Sequence, residues 1–247
     1  MRDFEDSTLW RVSAFERARQ ESGTSGFARL EGDASVLPTT LVSDLDHLAR
    51  DAQDNDVLEV MAACMRHQEP ALLCLQYGDL VWPVTLFPAE RVYHSPRDMA
   101  LASEEGLATL SVLSTEPPGM RPPGHKMYER IAHPEHYHEL APLLWSVALH
   151  GPRRVVLDEI GGRAAYRYAH MRSLDDRLTV PGALGGAMHR LQRESAALRD
   201  VAGWPGMTVE RASRLLNALY MTGGLMITRS HPAARDEPGL LRGLFRR

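Results

Sequence analysis

Four histidines fall within fourteen residues: His125, His133, His136 and His138, with Glu135 and Glu139 among them. Imidazole and carboxylate groups are zinc ligands, so a metal centre and a metal-dependent enzyme are the first chemistry to weigh. His133, His136 and His138 are its candidate ligands. The spacing argues against it. HPEHYHEL is not HExxH, and on a helix His136 and His138 point to nearly opposite sides. His133-Pro134 reads as a helix start, which leaves the histidines structural or solvated. No metal or other cofactor is expected.

Arginines offer a second chemistry. Arg153, Arg154, Arg163, Arg167 and Arg172 flank Gly161-Gly162. If the glycines turn a β-hairpin, Arg163 and Arg167 share one face of a strand. With Arg153 or Arg154 on the partner strand, they form a candidate anion-binding patch. The competing reading is a solvated hairpin face, with Asp158 and Glu159 as ion-pair partners of little energetic weight. Motifs for other chemistry are absent. There is no GxxxxGK[ST], GxSxG, kinase or zincin signature, and GALGGAM lacks the spacing of a dinucleotide loop. No catalytic residue is assigned, and a non-enzyme is expected.

The third candidate lies near the C-terminus, in ALRDVAGWPGMTVERASRLLNALYMTGGLMI. Val201 and Ala202 end one apolar stretch, and Gly206 falls four residues later, where a turn needs left-handed backbone. Met207, Ala212, Leu215 and Leu219 then recur at helical spacing before Gly223-Gly224-Leu225. Over residues 196–230 this resembles a winged helix-turn-helix. Two features depart from it: the first helix reads as long, over 184–202, and Pro205 stiffens the turn. The resemblance implies that Thr208, Glu210, Arg211, Ser213, Arg214 and Asn217 face outward on the second helix. Arg and Asn then read guanine and adenine, and Thr208 and Ser213 touch phosphate. Arg229 and His231 fall where a wing would lie. Glu210 opposes such a role, because it repels phosphate. Winged modules also dock proteins, so the same residues are candidates for a partner surface.

The elements that would position these groups alternate along the chain. Residues 1–40 read as an N-terminal arm, partly mobile, with an amphipathic helix around Trp10 and Phe15. Residues 41–116 form an acidic α+β region. In it, helices over 41–67 precede two apolar runs either side of Tyr77-Gly78-Asp79, a hairpin signal. Pro83 marks the second run as an edge or broken strand. Residues 117–125 are a Pro-rich connector. Residues 126–235 form a basic α+β region with a helix over 134–150, the Gly161-Gly162 hairpin and the winged-helix-like unit. Residues 236–247 are a basic tail. Helix–proline–strand–turn recurs around Pro70 and Pro152 as a weak internal echo. The fold class is therefore α+β, helices with antiparallel β-hairpins.

Composition bounds the rest. A chain of 247 residues, 44% hydrophobic and 24% charged, is long enough for a sizeable core. The net charge of −4 conceals an asymmetry. Residues 1–125 carry 10 Arg against 20 Asp and Glu, and residues 126–247 carry 18 basic against 12 acidic. Of 28 basic residues only Lys126 is not Arg, a bias of GC-rich, bacterial-type coding. Cys64 and Cys74 sit in apolar runs and read as buried thiols, which excludes a disulfide framework. No signal peptide or membrane span is legible, so a cytoplasmic protein is expected. The resulting expectation is a non-catalytic regulatory protein that docks a protein partner or its own copy through the C-terminal region. A DNA-binding transcriptional regulator is the alternative.

Overall fold

The computed structural model describes residues 9–23, 27, 30, 36–50, 56–127, 129–169, 180 and 182–234. The fold is α+β, with antiparallel sheets. The chain divides between Arg153 and Arg154 into two compact units. The Pro-rich segment 117–125 therefore lies inside the first unit, and Pro118, Gly119 and Met120 are buried there. The tail 236–247 and Arg172 lie outside the described residues.

The N-terminal unit is built on one sheet. Its elements are β1 (Trp10–Arg11), α1 (Val12–Ser22), α2 (Thr39–Arg50), α3 (Val57–His67), β2 (Ala71–Tyr77), β3 (Leu80–Phe87), β4 (Val92–His94), α4 (Glu104–Leu107), β5 (Ser111–Glu116), β6 (Tyr137–Glu139) and α5 (Leu140–His150). The strand order is β5-β2-β3-β4-β6, with β1 on β3. The hairpin about Gly78 is present, and Gly78 takes the positive φ of 59° that the turn needs. Pro83 does not break β3. It pairs with Cys74 on β2. On the other flank it falls between Val81, paired with β1, and Thr85, paired with β4. A proline is tolerated where one flank of a strand is unpaired.

Alternation along the strands makes two apolar faces. One carries Leu72, Cys74, Val81 and Phe87, packed with Phe15 of α1 and with Phe27, Met120 and Ala132. The other carries Leu73, Leu75, Val84 and Leu86, all fully buried. Helices α3 and α5 pack on each other and reach β5 and β4 respectively. Asp56 caps α3 by accepting from the Leu58 and Glu59 N–H groups. The helix expected over 134–150 begins only at Leu140. Residues 134–136 make a 3₁₀ turn and 137–139 join the sheet as β6. Local pattern does not reveal this, because β6 exists only through pairing with β4, which lies far away in sequence.

The C-terminal unit contains β7 (Ala165–Tyr168), α6 (Gly182–Arg193), β8 (Ala196–Ala197), α7 (Leu198–Ala202), α8 (Val209–Met221) and β9 (Leu225–Thr228). Its sheet has the order β8-β7-β9, antiparallel throughout. The hairpin expected about Gly161-Gly162 does not form. Residues 154–164 are loop with one 3₁₀ turn, and β7 pairs with two downstream strands instead. The long helix expected over 184–202 is two helices, interrupted by β8. Thus α7, leading into the turn before α8, is only five residues long. Gly206 adopts φ 73°, and a Cβ there would meet Ala183 Cβ at 2.8 Å. The turn therefore needs glycine for both its backbone and the close approach of α6.

Candidate functional site

The α8 region holds most of the residues assigned a binding role. Thr208 caps the helix, its Oγ1 accepting from the Arg211 N–H at 3.1 Å. Arg211 reaches back and donates from Nη1 to the Gly206 carbonyl at 2.7 Å, which fixes the turn. Arg214 Nε donates to Glu210 Oε1 at 3.1 Å, and Arg154 Nε lies 3.9 Å from the same oxygen. These groups cluster at the accessible N-terminal end of α8. The remainder of the helix is enclosed, with Ala212, Leu215, Leu216, Ala218 and Leu219 fully buried.

Two expected outward residues are inside. Asn217 is fully buried. Its Oδ1 accepts from the Leu157 N–H and its Nδ2 donates to the Val155 carbonyl, both at 2.9 Å. The side chain satisfies two backbone groups of a loop that has no strand partner, so it is not presented to a ligand. Ser213 is also buried, and its Oγ has no hydrogen-bond partner among the described residues. A helix enclosed on nearly every side has no polar face at these positions, which is why periodicity misplaced them. Arg229, exposed after β9, donates to the Gly161 and Glu159 carbonyls at 3.0 and 3.1 Å. It clamps the loop that takes the place of the expected hairpin turn.

The arginine patch does not assemble. Arg153 is buried, and its guanidinium sits between Asp56 and Glu59, each at 2.7 Å. A buried cation bound to two carboxylates is part of the core. Arg154 and Arg163 lie in loop, and Arg167 is exposed on β7 opposite Met226. With no strand over 153–157, no hairpin face gathers them.

The histidine segment does not converge either. His136 stacks on His94 with ring centroids 6.0 Å apart, and His138 lies 5.1 Å from Tyr93. Tyr93 and His94 are successive residues of β4 and point to opposite faces. His136 and His138 therefore meet different residues of β4, although both lie near enough to His94 to act on its charge. His133 is exposed beside Glu135. Among the described residues no group of three or more His, Cys, Asp or Glu could hold a metal ion. His94 is fully buried, and burial, with the neighbouring His136 and His138, holds its imidazole down at about 3. Burial also pushes the Cys64 thiol up to about 12, so it stays an unreactive apolar group.

Three apolar side chains of the C-terminal unit stand out in the open: Val155 at 59%, Val209 at 60% and Met226 at 55% exposure. Val155 follows Arg154 and Val209 precedes Glu210, so they flank the same charged pair. Met226 lies on β9, an outer strand of its sheet. Sequence reasoning passed over all three, because one apolar residue in an amphipathic segment carries no sign of which way it faces. Among the described residues, no helix is long and apolar enough to cross a membrane. No protein-family model, curated protein or solved structure matches the chain.

Proposed function

We infer that the chain is a non-catalytic regulatory or interaction protein whose C-terminal unit docks a protein partner or a second copy of itself. One contrast carries the reading. The polar groups that would read a nucleic acid are engaged within the unit or buried, while Val155, Val209 and Met226 are offered to solvent, Met226 on an outer strand. An exposed apolar side chain on an outer strand suits strand addition, and further apolar side chains in the open suit packing by a protein surface. The exposed Arg211 and the half-buried Arg214 at the start of α8 keep DNA binding as a second reading. Without Asn217 and Ser213 it would be recognition of phosphate more than of bases.

Light scattering over a wide concentration range tests self-association. Cross-linking mass spectrometry in cells maps any partner. The expected contacts include Val209 and Met226, and Val209→Glu with Met226→Lys abolishes them. Cross-links confined to other surfaces, or unchanged by that double variant, would overturn the proposal. Arg211→Ala with Arg214→Ala decides the second reading. Loss of a salt-sensitive gel shift supports it, and no shift at low salt removes it.

A further inference from the structure

A proline-walled cleft in the N-terminal unit carries an inference beyond the C-terminal surface. Its volume is about 330 Å³, within the range of small-molecule pockets. The apolar wall is formed by Phe87, Met120, Pro70, Pro88 and Pro118, and the polar groups include Glu69, Glu90, Arg121 and His125.

Arg121 is held firmly at its backbone. Its N–H donates to the Arg130 carbonyl, and its own carbonyl accepts from the Tyr137 hydroxyl. Its side-chain Nε is shut off from solvent and has no acceptor among the described residues. Arg121 also lines the cleft, and a guanidinium there is a fitting partner for an incoming oxygen anion. His125 Nδ1 accepts from the Met127 N–H, so a neutral ring carries its proton on Nε2 and is a second donor.

Backbone strain gathers around the same cleft. Among the described residues three non-glycine residues have positive φ: Gln68, Arg91 and Arg130. Gln68 lines the cleft. Arg91 closes the turn whose Pro88, Ala89 and Glu90 line it, and Arg130 holds Arg121. Such conformations persist where surroundings enforce them, and they gather at ligand sites.

The charges select the ligand. Two donors call for a carboxylate. Two carboxylates against one guanidinium leave the lining net negative, which disfavours a simple anion and calls for a cationic group as well. We propose that this cleft binds a zwitterionic apolar amino acid, free or as a dipeptide. Its carboxylate meets Arg121 and His125, its ammonium faces Glu69 and Glu90, and its side chain lies on Phe87 and Met120.

Calorimetric titration of the full chain tests this with leucine, methionine, phenylalanine and the dipeptide Leu-Leu. Isocaproate and isoamylamine, each lacking one charge of leucine, are the controls. Saturable binding of at least one zwitterion at millimolar ligand is expected. Each control should bind at least about tenfold more weakly than leucine, as should leucine to Arg121→Gln. Ala89→Trp, at the exposed rim, should fill the cleft and abolish binding. It keeps the test decisive if Arg121→Gln fails to fold by circular dichroism. Tighter binding of Leu-Leu than of leucine assigns a peptide end, and the reverse assigns the free amino acid. No saturable binding by any zwitterion would overturn the proposal. So would controls that bind as well as leucine, or folded variants that bind as wild type.

Discussion

Helices α3 and α8 meet the same demand with different chemistry. Each belongs to a different compact unit, and each buries most of its circumference along with a polar side chain. In α3 that side chain is Glu59, matched by Arg153, which also grips the capping Asp56. In α8, besides the small Ser213, it is Asn217, matched by the Val155 carbonyl and the Leu157 N–H. The partners are almost consecutive: Arg153 serves the N-terminal unit, and residues 155 and 157 serve the C-terminal one. Burying Arg153 and Glu59, with Asp56 half-buried beside them, carries a large desolvation cost that only complete pairing offsets. Burying one neutral amide costs less, but its two hydrogen bonds must be placed as carefully. An ion cluster can therefore be replaced by apolar groups as a set, whereas the amide cannot be replaced without stranding backbone.

That contrast can be broken at its charged end first. Arg153→Met leaves Glu59 buried without its cation and should destabilise the protein by about 3–5 kcal/mol in urea unfolding. Adding Glu59→Met should recover a large part of the loss. A double variant as unstable as the single one would show that the cluster is more than a paired charge. Asn217→Leu strands one carbonyl and one N–H, and should cost about 2–4 kcal/mol in the same measurement. No apolar second substitution should rescue it.

His94 sharpens the comparison from the N-terminal side, because there the buried group is neutral but titratable. Its folded pKa of about 3 lies below the ordinary histidine value of 6.5. The unfolded chain therefore takes up the proton first as pH falls. This contribution is fully present above pH 6.5 and is lost progressively down to about pH 3. The loss approaches about 1.4 kcal/mol per pH unit. His94→Leu should flatten that part of the stability–pH curve, and an unchanged slope would refute the assignment. The smallest effect belongs to Ser213→Ala. Removing a buried hydroxyl that has no partner among the described residues should leave stability unchanged or raise it by up to about 1 kcal/mol. A clear destabilisation would mean that Ser213 is bonded in solution.

Legibility followed the range of the interactions. The Gly78 hairpin and α8 were readable because they rest on short-range causes: a glycine turn between apolar runs, and helical spacing. Strands β6 and β8 were not. Each is a few residues long and exists only because a distant strand offers its edge, so 137–139 and 196–197 read as parts of helices. The hairpin at Gly161-Gly162 failed for the converse reason. Its local signal was sound, but β7 found better partners in β8 and β9. The candidate sites failed in the same way. Arg153, Arg163 and Arg167 were grouped by a hairpin that does not exist. His136 and His138 were judged on a helix, whereas His138 belongs to a strand and His136 to the turn before it. The cleft residues Glu69, Glu90, Arg121 and His125 are scattered over more than fifty positions, and no local pattern links them.

By itself, the sequence determined the α+β class, the helical spacing of α8, the left-handed turn at Gly206 and the burial of both cysteines. These depend on side-chain period, on the backbone freedom of glycine and on hydrophobicity, all of which are local properties. Only the tertiary structure decided which polar residues stay in water. Whether Asn217 or Arg153 faces solvent depends on what covers it. The covering groups, a loop carbonyl at 155 and carboxylates at 56 and 59, lie about sixty to one hundred positions away.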